Sequence, residues 1–249
     1  MNLALSGQAA LVTGAGRGIG AAIVRELARA GCDVALVEFG AFAEAESLAG
    51  ELRDEGRRSI AIRADVSDFA GAERTVAAAV DALGRIDHLV CNAGITRDAL
   101  SWKMTEEQWD QVIDVNLKGC FAYCRAVAGP FRKQLHGRIV NIASVNGLRG
   151  KAGQSNYAAS KAGIIALTRT LARELGPKGV NVNCIAPGMV RTGMTANLPP
   201  AVLESALADT PLGRMAEPED VARVVVFLCS EASRHITGEV IRVDGGQLA

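Results

Sequence analysis

The sequence has no excess of charge of either sign: 27 basic residues balance 27 acidic ones, and no run of one sign stands out. A basic face for nucleic acid therefore has no support. Long apolar runs are also missing, and none approaches the 18 residues that a membrane span requires. The opening stretch MNLALSGQAALVTGAG lacks a basic n-region and meets a glycine loop too early for a signal peptide. The six cysteines (Cys32, Cys91, Cys120, Cys124, Cys184 and Cys229) form no C-x-x-C pair. Most sit in apolar stretches, where a buried free thiol is the ordinary reading, and Cys120 and Cys124 read as helix-face thiols. His88, His136 and His235 lie far apart in sequence and do not suggest a metal site. Together these absences describe a soluble, reduced, cytoplasmic chain with no metal, nucleic-acid or membrane partner.

With 49% hydrophobic residues, the 249-residue chain can bury one large α/β core. Short apolar runs at 9–15, 33–38, 59–66, 86–94, 137–144, 180–188 and 238–246 read as buried strands. Helical patterns at 19–30, 43–55, 71–83, 105–135, 155–175 and 218–230 alternate with them. Near-continuous apolar strands separated by helices predict one doubly wound Rossmann domain over 1–249, a parallel seven-stranded sheet with helices on both faces. The Pro-bearing segment 189–217 follows a strand's carboxyl end, the ligand edge of such sheets. It reads as a lid over a substrate or as a loosely packed connection.

TGAGRGIG (13–20) lies where the first strand turns into the first helix. Gly14, Gly18 and Gly20 remove side chains where backbone must approach a pyrophosphate, and the helix that follows offers free N–H groups. Any tight strand–helix turn uses glycine, so position is what favours a dinucleotide site. Glu38 ends the second strand, 18 residues beyond Gly20. A carboxylate there can accept from the adenosine ribose hydroxyls and would repel the extra phosphate of NADP, so NAD(H) is favoured over NADP(H). Arg17 is the one nearby cation that complicates this. Asp65, at the end of the third strand, either meets the adenine or caps the next helix.

Aromatic residues make up only 4% of the chain, and one of its two tyrosines, Tyr157, stands four residues before Lys161 in SNYAASK. On a helix the two side chains share one face. A nearby ammonium favours the phenolate, so the pair predicts a lowered Tyr157 pKa and a usable proton donor. A helix-face pair without chemistry would have the same spacing.

TGAGRGIG, NAG (92–94), VNLKG (115–119), IASV (142–145), YAASK (157–161) and IAPG (185–188) occur in this order. With these motifs the chain resembles the short-chain dehydrogenase/reductases over essentially its whole length. NAGITRD, GQSNYAASKAG, VNCIAPGMVRTGMT and ITGEVIRVDGG are most similar to the 3-oxoacyl-(acyl carrier protein) reductases of that family.

The resemblance implies a catalytic tetrad of Asn116, Ser144, Tyr157 and Lys161. Ser144 would bond a substrate carbonyl and Tyr157 would protonate it. Lys161 would bond the nicotinamide ribose, and Asn116 would hold a water that relays protons. Asn92, Ala93 and Gly94 would flank the adenosine ribose, with Asp65 and Val66 at the adenine end. Ile19 would lie under the nicotinamide, and Pro187, Gly188, Val190 and Thr192 would hold its carboxamide; Thr192 as a helix cap is the alternative.

Family members often carry Asn where this chain has Cys91, a strand position expected to matter little. The reductases usually take NADPH, against which Glu38 argues. They also dock an acidic carrier protein on basic residues. Leu135 stands where Arg is frequent, although Arg132, Lys133 and Lys178 remain. The resemblance further implies a homotetramer paired through the helices of 105–135 and 155–175. The expected reaction is NAD(H)-linked conversion of a ketone and a secondary alcohol, with a 3-oxoacyl thioester favoured. An NAD-dependent catabolic alcohol dehydrogenase and a non-catalytic nucleotide-binding scaffold are the rivals.

Overall fold

The computed structural model describes residues 3–193, 195–196 and 200–249. Its first half runs β1 (Ala9–Thr13), α1 (Gly18–Arg29), β2 (Asp33–Glu38), α2 (Phe42–Asp54), β3 (Ser59–Arg63), α3 (Phe69–Leu83) and β4 (His88–Cys91). The second half runs α4 (Glu106–Val112), α5 (Gly119–Gln134), β5 (Gly137–Ile142), α6 (Asn146–Arg149), α7 (Ser155–Leu175) and β6 (Val180–Pro187). It closes with α8 (Pro200–Ala208), α9 (Pro218–Cys229) and β7 (Val240–Val243). The seven strands form one parallel sheet in the order β3-β2-β1-β4-β5-β6-β7. Strand order reverses between β1 and β4, which opens a crevice there at the carboxyl ends.

Alternation along each strand divides the core in two. Leu11, Leu89, Ile139 and Val182 face the side covered by α3, α5 and α7, where they meet Val76, Tyr123 and Ile164. Their neighbours Val12, Val90, Val140 and Ile185 face the other side, against Ile23, Leu27 and Val225 of α1 and α9. Both faces are covered, so the strands read as unbroken apolar runs. Among the described residues, no helix is long and apolar enough to cross a membrane.

Most strands stop short of their sequence-based ends. Residues 64–66, 92–94 and 143–144, read as strand, are loop instead. They leave the ladder at the sheet's ligand edge, where their backbone and side chains turn to the site. The helical stretch 105–135 is also interrupted: Ile113–Lys118 is a π-helical turn between α4 and α5. The scattered cysteines are all free and buried. Of the segment 189–217, residues 194 and 197–199 lie outside the described residues. Its two ends are joined at a neck: Val190 bridges Ala216, Ala216 N–H donates to Met189 O at 3.0 Å, and Arg191 pairs with Glu217 at 3.0 Å.

Candidate active site

A cavity of about 1490 Å³ opens at the carboxyl ends of the strands, from the glycine loop to the start of α7. Every residue expected to bind the dinucleotide or catalyse lines it, except Gly20 and Asn116.

The glycine loop is folded onto the neighbouring strands by its backbone. Gly14 N–H donates to Val37 O at 2.9 Å, and Gly14 and Gly18 hold φ of 64° and 55°, which favour glycine. A Cβ on Gly14 would lie 2.8 Å from the Ala93 Cα, and one on Gly20 would overlap the Gly14 carbonyl. Gly20 therefore shapes the loop from behind. Arg17, extended and exposed, precedes α1 without capping it, and the first turn of α1 carries no acid. Its free N–H groups and positive end suit a pyrophosphate.

Glu38 is held rigidly. Its Oε2 accepts from Gly16 N–H at 2.9 Å, and its Oε1 accepts from Phe39 N–H at 3.0 Å and Ala41 N–H at 3.3 Å. Of about four lone-pair sites on a carboxylate, three are taken and one remains. Asp65 Oδ1 is used by the Ser67 N–H and hydroxyl, at 2.9 and 2.7 Å. The cap of α3 is Asp68, so Asp65 holds a preceding turn and keeps Oδ2 for the cavity. Val66 is buried beside it.

Asn92 proves to be a strut. Its Nδ2 donates to the carbonyls of Thr13 (3.1 Å) and Gly14 (2.9 Å), tying the end of β4 to the glycine loop. Thr13, unnoticed in the sequence, accepts from the N–H groups of Asn92 (3.1 Å) and Ala93 (3.2 Å) through its buried hydroxyl. Gly94 lies against the Asn116 amide and the Lys161 ammonium, which a Cβ would approach to 3.3 and 3.4 Å. Pro187 O accepts from Val145 N–H, and Gly188 packs against Asp244. Thr192 packs on Gly18. The turn that follows is capped by Thr195, whose hydroxyl accepts from Thr192 N–H at 3.0 Å, so the cap reading moves to that residue.

Ser144, Tyr157 and Lys161 converge at the far end of the cavity. Ser144 Oγ accepts from Asn146 N–H at 3.2 Å and acts on the Tyr157 phenol, holding its pKa down. Lys161 Nζ donates to Ile142 O at 2.8 Å and lies 5.6 Å from the Tyr157 ring centroid. The two side chains share a helix face, as their spacing predicts.

Their electrostatics differ from expectation. Tyr157 is shifted above the ordinary phenol value, because desolvation outweighs its bond to Ser144 and the Asp98 carboxylate adds to the rise. Lys161 is buried, and loss of water pushes its pKa down to about 8. The predicted lowering of Tyr157 by Lys161 is thus absent. The ammonium is weakened by its own burial and spends a proton on Ile142.

Asn116 lies deepest of the four. Wholly buried in the π-helical turn, its Oδ1 accepts from Ile95 N–H at 2.8 Å, and its Nδ2 donates to Ile95 O and Ser160 Oγ, both at 3.1 Å. Three of its four hydrogen-bonding sites are thus taken, which ties the side chain to the loop after β4 and leaves one Oδ1 lone pair. Sequence reading also missed a chain behind Ser144: Gln154 Nε2 donates to Asp98 at 2.9 Å, and Asn146 Nδ2 donates to Gln154 at 3.0 Å. Buried Asn156 bonds the carbonyls of Arg97 and Gln108. The only available signal was adjacency, since GQSN directly precedes Tyr157.

The profile described as enoyl-(acyl carrier protein) reductase matches residues 14–247. The chain belongs to the short-chain dehydrogenase/reductase family. It is 43% identical over 239 residues to the 3-oxoacyl-(acyl-carrier-protein) reductase of Staphylococcus aureus, covering 96% of this chain and 97% of that one. It is 44% identical to the reductases of the same name from Thermotoga maritima (97% and 98% covered) and Synechocystis (98% of each). A solved structure described as a short-chain alcohol dehydrogenase of Sinorhizobium meliloti superposes with a TM-score of 0.95 at 37% identity, over 100% and 99% of the two chains. This family member is an oxidoreductase, and family members work with a nicotinamide cofactor. The cradle of Gly14 and Gly18, the uncapped start of α1 and the size of the cavity fit such a dinucleotide.

Proposed function

We propose that this chain reduces a 3-oxoacyl thioester to its 3-hydroxy form with NADH. The observation that carries the reading is the convergence of Ser144, Tyr157 and Lys161 beside the glycine loop. The similarity to 3-oxoacyl-(acyl-carrier-protein) reductases supplies the substrate class.

Gly14, Arg17, Gly18 and the start of α1 would hold the pyrophosphate of the dinucleotide. Glu38, with its one free acceptor site, would take an adenosine ribose hydroxyl, and Asp65 and Val66 would meet the adenine. Asn92, Ala93 and Gly94 would flank the ribose; Ile19, Pro187, Gly188, Val190 and Thr192 would seat the nicotinamide. The bound cofactor supplies the hydride.

Ser144 already accepts from Asn146, which leaves its own proton for the substrate carbonyl. Tyr157 then gives its phenolic proton to the same oxygen. Its raised pKa keeps it protonated at neutral pH, which suits the reductive direction. Lys161, on the same helix face, would hold the nicotinamide ribose, and Asn116 holds the Ile95 loop and Ser160 in place. A 2′-phosphate would sit against the fixed charge of Glu38, so NADH is the cofactor of this reading, although exposed Arg17 stands nearby.

Arg149 and Lys151, exposed at the cavity rim, suit the phosphate of a pantetheine-type carrier. Arg132, Lys133 and Lys178 lie at the opposite sheet edge, before β5 and β6. A carrier protein held there would serve the cleft of a neighbouring copy. Exposed Trp109 and Phe121 on α4 and α5 are suited to subunit pairing in a tetramer, and Phe69 packs on Phe121 at 6.1 Å. The necked segment 189–217 would be the substrate lid.

Initial rates of acetoacetyl-CoA reduction with NADH and NADPH side by side test the reading. NADH-linked turnover that falls at least about 100-fold in Tyr157→Phe is expected. Turnover with NADPH alone would overturn the cofactor choice. Glu38 also favours a second reading, an NAD-linked secondary-alcohol dehydrogenase, and the similar Sinorhizobium meliloti structure is described as a short-chain alcohol dehydrogenase. Reduction of NAD by secondary alcohols, with no rate on acetoacetyl-CoA, would select it.

A further inference from the structure

Three cysteines distant in sequence meet behind the catalytic strands. Cys91 is the last residue of β4, and Cys120 and Cys124 stand one turn apart at the start of α5. Their sulfurs all lie within 4.8 Å of one another, and all three residues are buried. A fourth donor completes the group. Asn141, wholly buried and in register beside Cys91 on β5, places its Oδ1 at 3.4 Å from the Cys120 sulfur and 3.6 Å from the Cys124 sulfur.

The amide cannot turn round. Its Nδ2 donates to Thr168 Oγ1 at 2.9 Å, and the Thr168 hydroxyl already donates to Ile164 O at 2.8 Å, so Oδ1 must face the thiols. We propose that Cys91, Cys120, Cys124 and the Asn141 amide oxygen form a closed, four-coordinate site for a thiophilic divalent ion, zinc.

Soft thiolates select such ions, and a closed four-coordinate set is the structural form. A zinc–sulfur bond of about 2.3 Å puts tetrahedral sulfurs about 3.8 Å apart, so contraction by no more than about 1 Å seats the ion. Each thiol loses its proton to solvent on binding. Three thiolates and a divalent cation leave one net negative charge. The Lys161 ammonium, which already acts electrostatically on Cys120, offsets it. A filled site would pin the end of β4 to α5 and β5 underneath the catalytic residues.

Cobalt(II) titration of the reduced, chelator-stripped chain tests this, with zinc added afterwards. The expected result is one cobalt per chain, with thiolate charge-transfer and tetrahedral ligand-field bands that zinc abolishes. Affinity should fall by more than about 100-fold in Cys120→Ala and be unchanged in Cys32→Ala and Cys229→Ala. Should Cys120→Ala fail to fold, Cys124→Ala provides the same comparison. X-ray absorption of the zinc-loaded wild type should show three sulfurs and one lighter ligand. Octahedral cobalt without charge transfer, bands that survive both cluster variants, or loss of the bands in Cys32→Ala would each overturn the site.

Discussion

The two ends of the cavity are built by different means. On the β1–β2 side, the glycine loop and Glu38 are held by backbone: main-chain N–H groups bond Val37 O and the Glu38 carboxylate. On the β4–β6 side, the supports are buried and half-buried amide side chains, with Asn92, Asn116 and Asn156 each bonding main chain and Asn146 and Gln154 bonding side chains. A site that must accept a large anionic ligand needs exposed main-chain donors, which glycine supplies. A site that must place a phenol and a hydroxyl needs immobile side chains, which amides bonded at two or more points supply.

The sharpest way to break this contrast is to disturb each side once. Gly20→Val should force its side chain into the Gly14 carbonyl. We expect dinucleotide affinity, measured by calorimetry, to drop by at least about 100-fold, with about 1–3 kcal/mol of stability lost to overpacking. Asn116→Leu should do the reverse. It strands the Ile95 N–H and carbonyl at a cost of about 2–4 kcal/mol in denaturant unfolding. In the surviving folded protein, kcat should fall while dinucleotide affinity stays within about 3-fold. Equal effects of both substitutions on affinity would erase the distinction.

Lys161→Met sharpens it from the energetic side. The folded pKa of Lys161, about 8, lies below its ordinary value of 10.5. Below pH 8 the residue is charged in both states, and the fold bears the full desolvation cost. Between the two values the unfolded chain binds the extra proton, so wild-type stability from this group rises with pH. Lys161→Met should therefore be more stable than wild type at pH 7, by about 1–3 kcal/mol, while turnover is lost. That advantage should shrink between pH 8 and 10.5 in urea unfolding monitored across the range. A constant difference would mean that the buried charge is not the cause.

The smallest effect lies away from both ends. Leu135 closes α5 at φ 53° with its side chain largely exposed, the only non-glycine residue with positive φ among those described. Leu135→Gly should change stability by no more than about 1 kcal/mol, in the stabilising direction, with activity unchanged.

What could be read from the sequence follows the same division. Glycines at a strand–helix turn and a carboxylate closing the next strand are legible because residue type alone constrains the backbone there. Parallel strands were legible as unbroken apolar runs. Their carboxyl ends were not, since 92–94 and 143–144 remain apolar or small while serving the site. The Asp98–Gln154–Asn146 chain was hidden, because an amide carries no local signature of its distant partner. The shift of Tyr157 was misread for a related reason. Spacing reports that Lys161 is near but not that it is buried, and burial decides the sign. The meeting of Cys91 with Cys120 and Cys124 depends on sheet register and so could not be seen in the chain.

The π-helical turn Ile113–Lys118 has a further consequence. It accommodates one residue more than an α-helix would over the same rise. Removing a single residue from it would leave a continuous α-helix with satisfied hydrogen bonds, so the fold has little reason to reject the deletion. Because the extra residue is taken up within the turn, α4 and α5 would keep their phase, and only the residues of the turn itself would shift. Asn116 would leave Ile95 while Cys120 and Tyr123 stayed in the core. The extra residue therefore serves to present Asn116 to the loop after β4, not to hold the helix together, and its deletion would cost function long before it cost folding.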